Sequence, residues 1–173
     1  PEAGLLLDMG LGKTVSTLTA IKKLMDEYLE VNKVLIIAPK RVAESTWCDE
    51  IDKWEHLKGL KVSKILGTQK QRKTALKVSA DIYTINRENV VWLVSHLEGY
   101  WPFDMVVIDE LSSFKSPKAA RFRALRLVRP KITRIVGLTG TPAPNGLIDL
   151  WSQIYLLDMG QRLERTITAY RTK

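Results

Sequence analysis

Gly4-Leu5-Leu6-Leu7-Asp8-Met9-Gly10-Leu11-Gly12-Lys13-Thr14 reads as a short apolar strand, Gly4 to Leu7, running into a glycine-bearing loop. The stripe Leu18, Ile21, Met25 and Tyr28 that follows has helical spacing. Strand, loop and helix in that order make a phosphate-binding unit. Gly10 and Gly12 admit backbone conformations closed to other residues, so successive N–H groups of Asp8 to Thr14 can turn inward around phosphate oxygens. The helix adds the partial positive charge of its N-terminus at the same point. Lys13 is placed to reach β- and γ-phosphates, and the Thr14 hydroxyl to ligate Mg²⁺. The loop departs from the general pattern at one position, where Leu7 stands in place of the first glycine.

Working outward, five more short apolar runs alternate with amphipathic ones. Val34–Ala38, Val62–Leu66, Asp81–Ile85, Met105–Ile108 and Ile132–Leu138 are expected strands. Several are apolar at every position, as parallel strands covered on both faces are. Between them, Trp47, Ile51 and Trp54 form one helical stripe, and Val90, Leu93, Val94 and Leu97 another. Leu147, Leu150, Trp151, Ile154 and Leu157 form the last. This alternation predicts an α/β fold, a mostly parallel sheet with helices on both faces. Trp47, Trp54 and Trp151 lie on the stripes and are assigned to the core; Trp92 and Trp101 stay open between packing and base stacking. Gly160–Lys173 is expected to be a terminal helix able to detach from the rest.

Two further segments carry chemistry. Met105-Val106-Val107-Ile108 runs directly into Asp109-Glu110, which places two carboxylates at the C-terminal edge of the sheet, where open α/β folds bind ligands. Asp109 is suited to hold Mg²⁺ through its water shell, and Glu110 to orient and polarise an attacking water. Leu138-Thr139-Gly140-Thr141-Pro142 again follows a strand, and its hydroxyls are candidates to couple Glu110 or the γ-phosphate site to the rest of the molecule.

These segments together resemble the helicase superfamily two proteins of SWI/SNF type, the chromatin-remodeller-like ATPases. The resemblance rests on Asp8 to Thr14, on Leu35-Ile36-Ile37-Ala38-Pro39 with Trp47 downstream, and on Asp109-Glu110. Its most specific part is Leu138-Thr139-Gly140-Thr141-Pro142-Ala143-Pro144-Asn145-Gly146-Leu147 leading to Leu150-Trp151, and it covers nearly the whole chain. It implies that residues 1–173 are the first RecA-like lobe of a two-lobe motor that uses ATP and Mg²⁺ to move on double-stranded DNA. The second lobe would be a partner supplied by the same protein. Asp-Glu-Leu-Ser at 109–112 differs from the Asp-Glu-Ala-Asp of RNA helicases and leaves no histidine in that motif. The compact spacing of motifs suggests a short bacterial or phage version. Pro39-Lys40-Arg41 falls where the family's first DNA-contacting motif sits, so Lys40 and Arg41 are the expected DNA contacts.

The totals agree with this reading. The chain has 173 residues, 45% hydrophobic and 27% charged, enough for one compact domain with a sizeable core. Its net charge of +8 and pI near 9.6 suit a polyanionic partner, nucleic acid before an anionic membrane surface. Two acid-free stretches stand out: Lys115, Lys118, Arg121, Arg123, Arg126, Arg129, Lys131 and Arg134, and Lys58, Lys61, Lys64, Lys70, Arg72, Lys73 and Lys77. The second reads better as solvated surface. A single cysteine, Cys48, excludes an intrachain disulfide and a cysteine metal cluster. No apolar run approaches the roughly 20 residues that span a bilayer, and no signal peptide opens the chain, so a cytoplasmic location without membrane contact is expected. Two other functions share the motifs: the motor portion of a restriction enzyme, and a nonmotor switch in which ATP binding toggles a protein contact.

Overall fold

The computed structural model describes residues 1–6, 12–143 and 145–172. Six strands, β1 (Glu2–Leu6), β2 (Val34–Ala38), β3 (Val62–Ile65), β4 (Ile82–Asn86), β5 (Met105–Asp109) and β6 (Arg134–Thr139), form one sheet in the order β1-β6-β5-β2-β4-β3. Every pairing is parallel. Each apolar run read from the sequence is a strand, with ends shifted by only one or two residues.

The all-apolar strands are explained by helices on both faces. Val34, Ile36 and Ala38 point to a core shared with α1 (Lys13–Asp26) and α2 (Trp47–Lys53), through Leu18, Ile21, Trp47 and Ile51. Leu35 and Ile37 point to the other face. There they meet α4 (Val90–Leu97), α5 (Ala120–Val128) and α6 (Leu150–Asp158) through Leu93, Phe122, Leu125, Trp151 and Leu156. A buried strand alternating between two apolar layers has no solvent face to be polar on. The helix α3 (Gln69–Lys77) starts at a Thr68–Gln71 capping box and buries none of its residues fully, in keeping with its lysine-rich sequence.

Three stripe assignments need correction, each for a local reason. The helix α2 ends at Lys53, and Trp54 takes an extended backbone (φ −111°, ψ 123°) that swings its ring off the stripe, leaving it 38% exposed. Tyr28 lies beyond the end of α1 and Leu147 in the short turn before α6, and both are exposed. The two open tryptophans are packing residues. Trp92 stacks on His96 at 5.0 Å and carries the Arg72 guanidinium at 4.4 Å, and Trp101 meets Phe103 edge-on.

The stretch after Gly160 is not detachable. Leu163, Ile167 and Tyr170 pack on the core, the Trp151 indole donates to the Glu164 carbonyl at 3.1 Å, and the Tyr170 hydroxyl donates to that of Leu147 at 3.0 Å. Its helix, α7, covers only Ile167–Arg171, so Arg162 and Arg165 precede it.

Arg129 departs furthest from its sequence reading. It belongs to the acid-free basic run, yet it is 4% exposed, and its guanidinium donates to the carbonyls of Leu156, Leu157 and Ile132. It fastens the end of α5 to the end of α6. Arg129→Ala is expected to cost about 3–5 kcal/mol of stability, because three inward carbonyls lose their donor. Thermal or denaturant unfolding would measure this; a loss below about 1 kcal/mol would show that water replaces the guanidinium there.

Candidate active site at the C-terminal edge of the sheet

Because all strands run the same way, every loop that follows a strand leaves from one edge. β6 lies between β1 and β5, with Leu6 opposite Thr139 on one side and Leu138 opposite Asp109 on the other. The ends of β1, β6 and β5 therefore stand side by side. These are the strands that the sequence places before the phosphate loop, the Thr-Gly-Thr-Pro segment and the acidic pair.

Asp8, Met9, Gly10 and Leu11 lie outside the described residues. The description resumes at Gly12, which caps α1 with a left-handed backbone (φ 78°, ψ 21°) that a side chain would strain. Lys13 and Thr14 open the helix, both half-buried, and the Thr17 hydroxyl donates to the Lys13 carbonyl at 2.6 Å. The helix N-terminus and the lysine thus lie at the edge where β1 ends.

Asp109 is the last residue of β5, and the Trp47 indole N–H from α2 donates to its Oδ2 at 3.1 Å. Burial pushes its carboxyl above the usual aspartate range, and the neighbouring Glu110 adds to this. The Trp47 hydrogen bond and the Lys13 ammonium pull in the opposite direction. The electrostatic reach of Lys13 to Asp109 ties the first turn of α1 to the acidic pair. Glu110 is half-buried and adopts a left-handed backbone (φ 58°, ψ 63°), at a cost of about 1–2 kcal/mol for a residue with a Cβ. The chain then turns at once into a short helical turn, Leu111–Phe114, whose two end residues are buried plugs. Gly137 of β6 makes room for it: a Cβ there would lie 2.6 Å from a Leu111 methyl carbon.

Thr139 is fully buried, and its hydroxyl accepts the Thr141 N–H at 3.3 Å, closing its own turn. Gly140 is half-buried and Thr141 exposed. The α6 helix braces the segment that follows. Gln153 donates to the carbonyls of Pro142 and Asp149, and the Asp149 carboxylate accepts the Asn145 N–H at 3.0 Å. Lys115, just past the acidic pair, lies 3.9 Å from the same carboxylate.

A cleft of about 390 Å³ opens beside the start of α1, lined by Gly12, Lys13, Thr14 and Val15 on one side and by Glu50, Lys53 and Trp54 on the other. Lys40 and Arg41 follow β2 at the same edge of the sheet and are exposed, with Glu44 3.9 Å from the Lys40 ammonium. The longer basic run does not form one face. Arg129 is internal, Arg134 pairs with Glu30, Lys131 donates to the Gly99 carbonyl, and Arg126 stacks on Tyr155.

An open parallel sheet with a lysine-headed helix and a strand-terminal carboxylate pair at one edge defines a RecA-like nucleotide-binding fold. The chain belongs to the family described as SNF2-related domain, whose model matches residues 1–166. It is 44% identical to putative protein p41 of Acyrthosiphon pisum secondary endosymbiont phage 1, over 95% of this chain and 37% of that protein. It is 32% identical to DNA excision repair protein ERCC-6-like of Mus musculus, over 87% of this chain and 12% of that protein. Among solved structures it is similar to the Sulfolobus solfataricus SWI2/SNF2 ATPase core in complex with dsDNA. That match has a TM-score of 0.80 and 25% identity, over 99% of this chain and 34% of that one. The chain thus spans about a third or less of the length of these relatives.

Sequence reasoning passes over three groups at this edge. Trp47 fills the core as its stripe predicts, but its indole N–H also holds Asp109. Asp149 and Gln153 fall between the apolar positions of the last stripe, and pattern alone gives no sign that they brace a loop. Trp54, Glu50 and Lys53 line the cleft because α2 stops one residue before Trp54; the helical stripe carries no signal of that stop.

Proposed function

We propose that residues 1–173 are the first RecA-like lobe of a DNA-dependent ATPase that translocates on double-stranded DNA, with a second such lobe elsewhere in the same protein. The observation that carries this reading is the convergence of Lys13, Thr14, Asp109, Glu110 and Thr139 on one sheet edge, from loops far apart in sequence.

In this reading the N–H groups of Asp8 to Gly12 and the Lys13 ammonium hold the β- and γ-phosphates. Mg²⁺ fits the donor set: Thr14 offers a hydroxyl, and Asp109 is a carboxylate whose burial beside Glu110 makes its charge costly until a cation offsets it. When bound, the ion neutralises charge on the phosphate oxygens. Trp47 holds Asp109 in place through one carboxylate oxygen. Glu110, aimed by its left-handed backbone, orients and polarises the water that attacks the γ-phosphorus as the bond to the bridging oxygen breaks. Thr139 ends the strand between the two groups, Gly140 and Thr141 follow it, and the three would pass the state of the γ-phosphate to the α6 side of the lobe.

Duplex DNA as the polymer is supported by the net charge of +8 and by the dsDNA held in the similar Sulfolobus ATPase core. Lysine and arginine contacts to a phosphate backbone position it without reading sequence, which suits translocation. Phosphate release by the full-length protein should rise on adding duplex DNA of any sequence, and an ATPase indifferent to DNA would defeat the proposal. Charge reversal at Lys40 and Arg41 should weaken binding and flatten the log–log salt slope by about one unit for each DNA phosphate no longer neutralised. Affinity measured across a salt series reads this directly, and an unchanged slope would move the DNA path elsewhere on the lobe.

A further inference from the structure

The cleft beside the first turn of α1 has a second wall that the phosphate chemistry leaves unused. Trp54 directly follows α2 with its ring partly exposed, on a cleft also lined by Gly12, Lys13, Thr14 and Val15. The ring is held from several directions. Its Nε1–H donates to Glu50 at 2.9 Å, the Lys53 ammonium stands 5.6 Å from its centroid, and the His56 ring meets it edge-on at 6.1 Å. His56 in turn shares a 2.8 Å hydrogen bond with Thr19 on α1. The indole is thereby tied to the same helix that heads the phosphate site. The partly exposed ring thus presents a fixed aromatic surface to a cleft that Lys13 and Thr14 also line.

We infer that Trp54 is the base-stacking wall of the nucleotide site, taking the nucleobase of ATP on its indole face while Lys13 and Thr14 take the phosphates. The inference rests on the nucleotide reading above and deepens it. A stacked base is recognised through its π-face, so this wall adds affinity without choosing strongly among bases. Glu50 and Lys53 act as positioning residues: one fixes the ring through its N–H, and the other keeps a cation near its π-system.

The test compares ATP with magnesium tripolyphosphate, which has the phosphates but no base, as substrate and competitor of the full-length protein. Trp54→Ala should raise the KM for ATP by about 5- to 100-fold, with the loss falling on KM rather than kcat. Trp54→Phe keeps a π-face and should stay within about threefold of the parent. Inhibition by tripolyphosphate should be the same in all three proteins. An unchanged KM in Trp54→Ala would overturn the stacking wall. So would equal weakening of ATP and tripolyphosphate, which would mark a distorted site. Lys13→Ala separates the two layers: it should weaken both ligands. If it weakens neither, the phosphate site fails and the wall with it.

Discussion

Lys13→Ala is expected to abolish ATP hydrolysis by the full-length protein, whereas Glu110→Gln should keep nucleotide bound and leave it uncleaved. The two residues stand at the ends of different elements, Lys13 on the first turn of α1 and Glu110 just past β5, so the variants divide binding from chemistry. Removing the ammonium withdraws a cation from the phosphates both before and during reaction. Replacing the carboxylate by an amide keeps size and shape but removes the group that polarises water. Loss of one such positioned group typically costs about 10²–10³ in rate. Calorimetric ATP binding beside phosphate release would check both halves. Full hydrolysis by the glutamine variant would remove Glu110 from the mechanism.

A larger effect is expected from the lobe by itself. Residues 1–173 should fold and bind nucleotide weakly, yet hydrolyse ATP about 10³–10⁵-fold more slowly than the full-length protein, even with duplex DNA present. That is the span attributed to an arginine facing the γ-phosphate from across a cleft, roughly 4–7 kcal/mol of transition-state stabilisation. Two arginines of the last segment, Arg162 and Arg171, are engaged elsewhere. Arg162 reaches Asp158 and Glu2, and Glu2 opens β1 at the edge of the sheet opposite the site. Arg171 borders a separate pocket with Lys118 and Arg126. An isolated lobe also leaves one side of the site open to water, which weakens each remaining electrostatic contact. Steady-state phosphate release by both proteins, with and without DNA, decides the matter, and equal rates would end the two-lobe account.

The fold was legible because its central strands, β2, β4 and β5, are buried on both faces. A run such as Val34–Ala38, apolar throughout, has few other places to go in a chain of this composition, and the acidic pair could be placed because it follows such a run. What escaped the sequence depends on events at element ends. Arg129 sits where α5 gives way to a short turn, and a one-dimensional charge pattern cannot distinguish a guanidinium facing solvent from one turned onto three carbonyls. Trp54 obeys helical spacing, but the helix stops before it. The last segment is polar on average, yet Leu163, Ile167 and Tyr170 are enough to seat it. Of the residues proposed to bind phosphate, Gly12, Lys13 and Thr14 fall within the described structure and Asp8 to Leu11 do not.

The pairing of β1 with β6 sets an order of assembly. Among the described residues β1 pairs with β6 alone, so the strand before Lys13 gains that partner only when Arg134–Thr139 exist. During synthesis, β2, β4, β3 and β5 can pair with one another as they emerge, while the first strand waits for the last. Long-range parallel pairing of this kind is slow, because loop closure precedes any reward from contact. The edge that gathers Lys13, Asp109 and Thr139 therefore forms only after β6 has been made. A nascent chain interrupted before Arg134 would carry Lys13 and the carboxylates without the strand that sets them side by side.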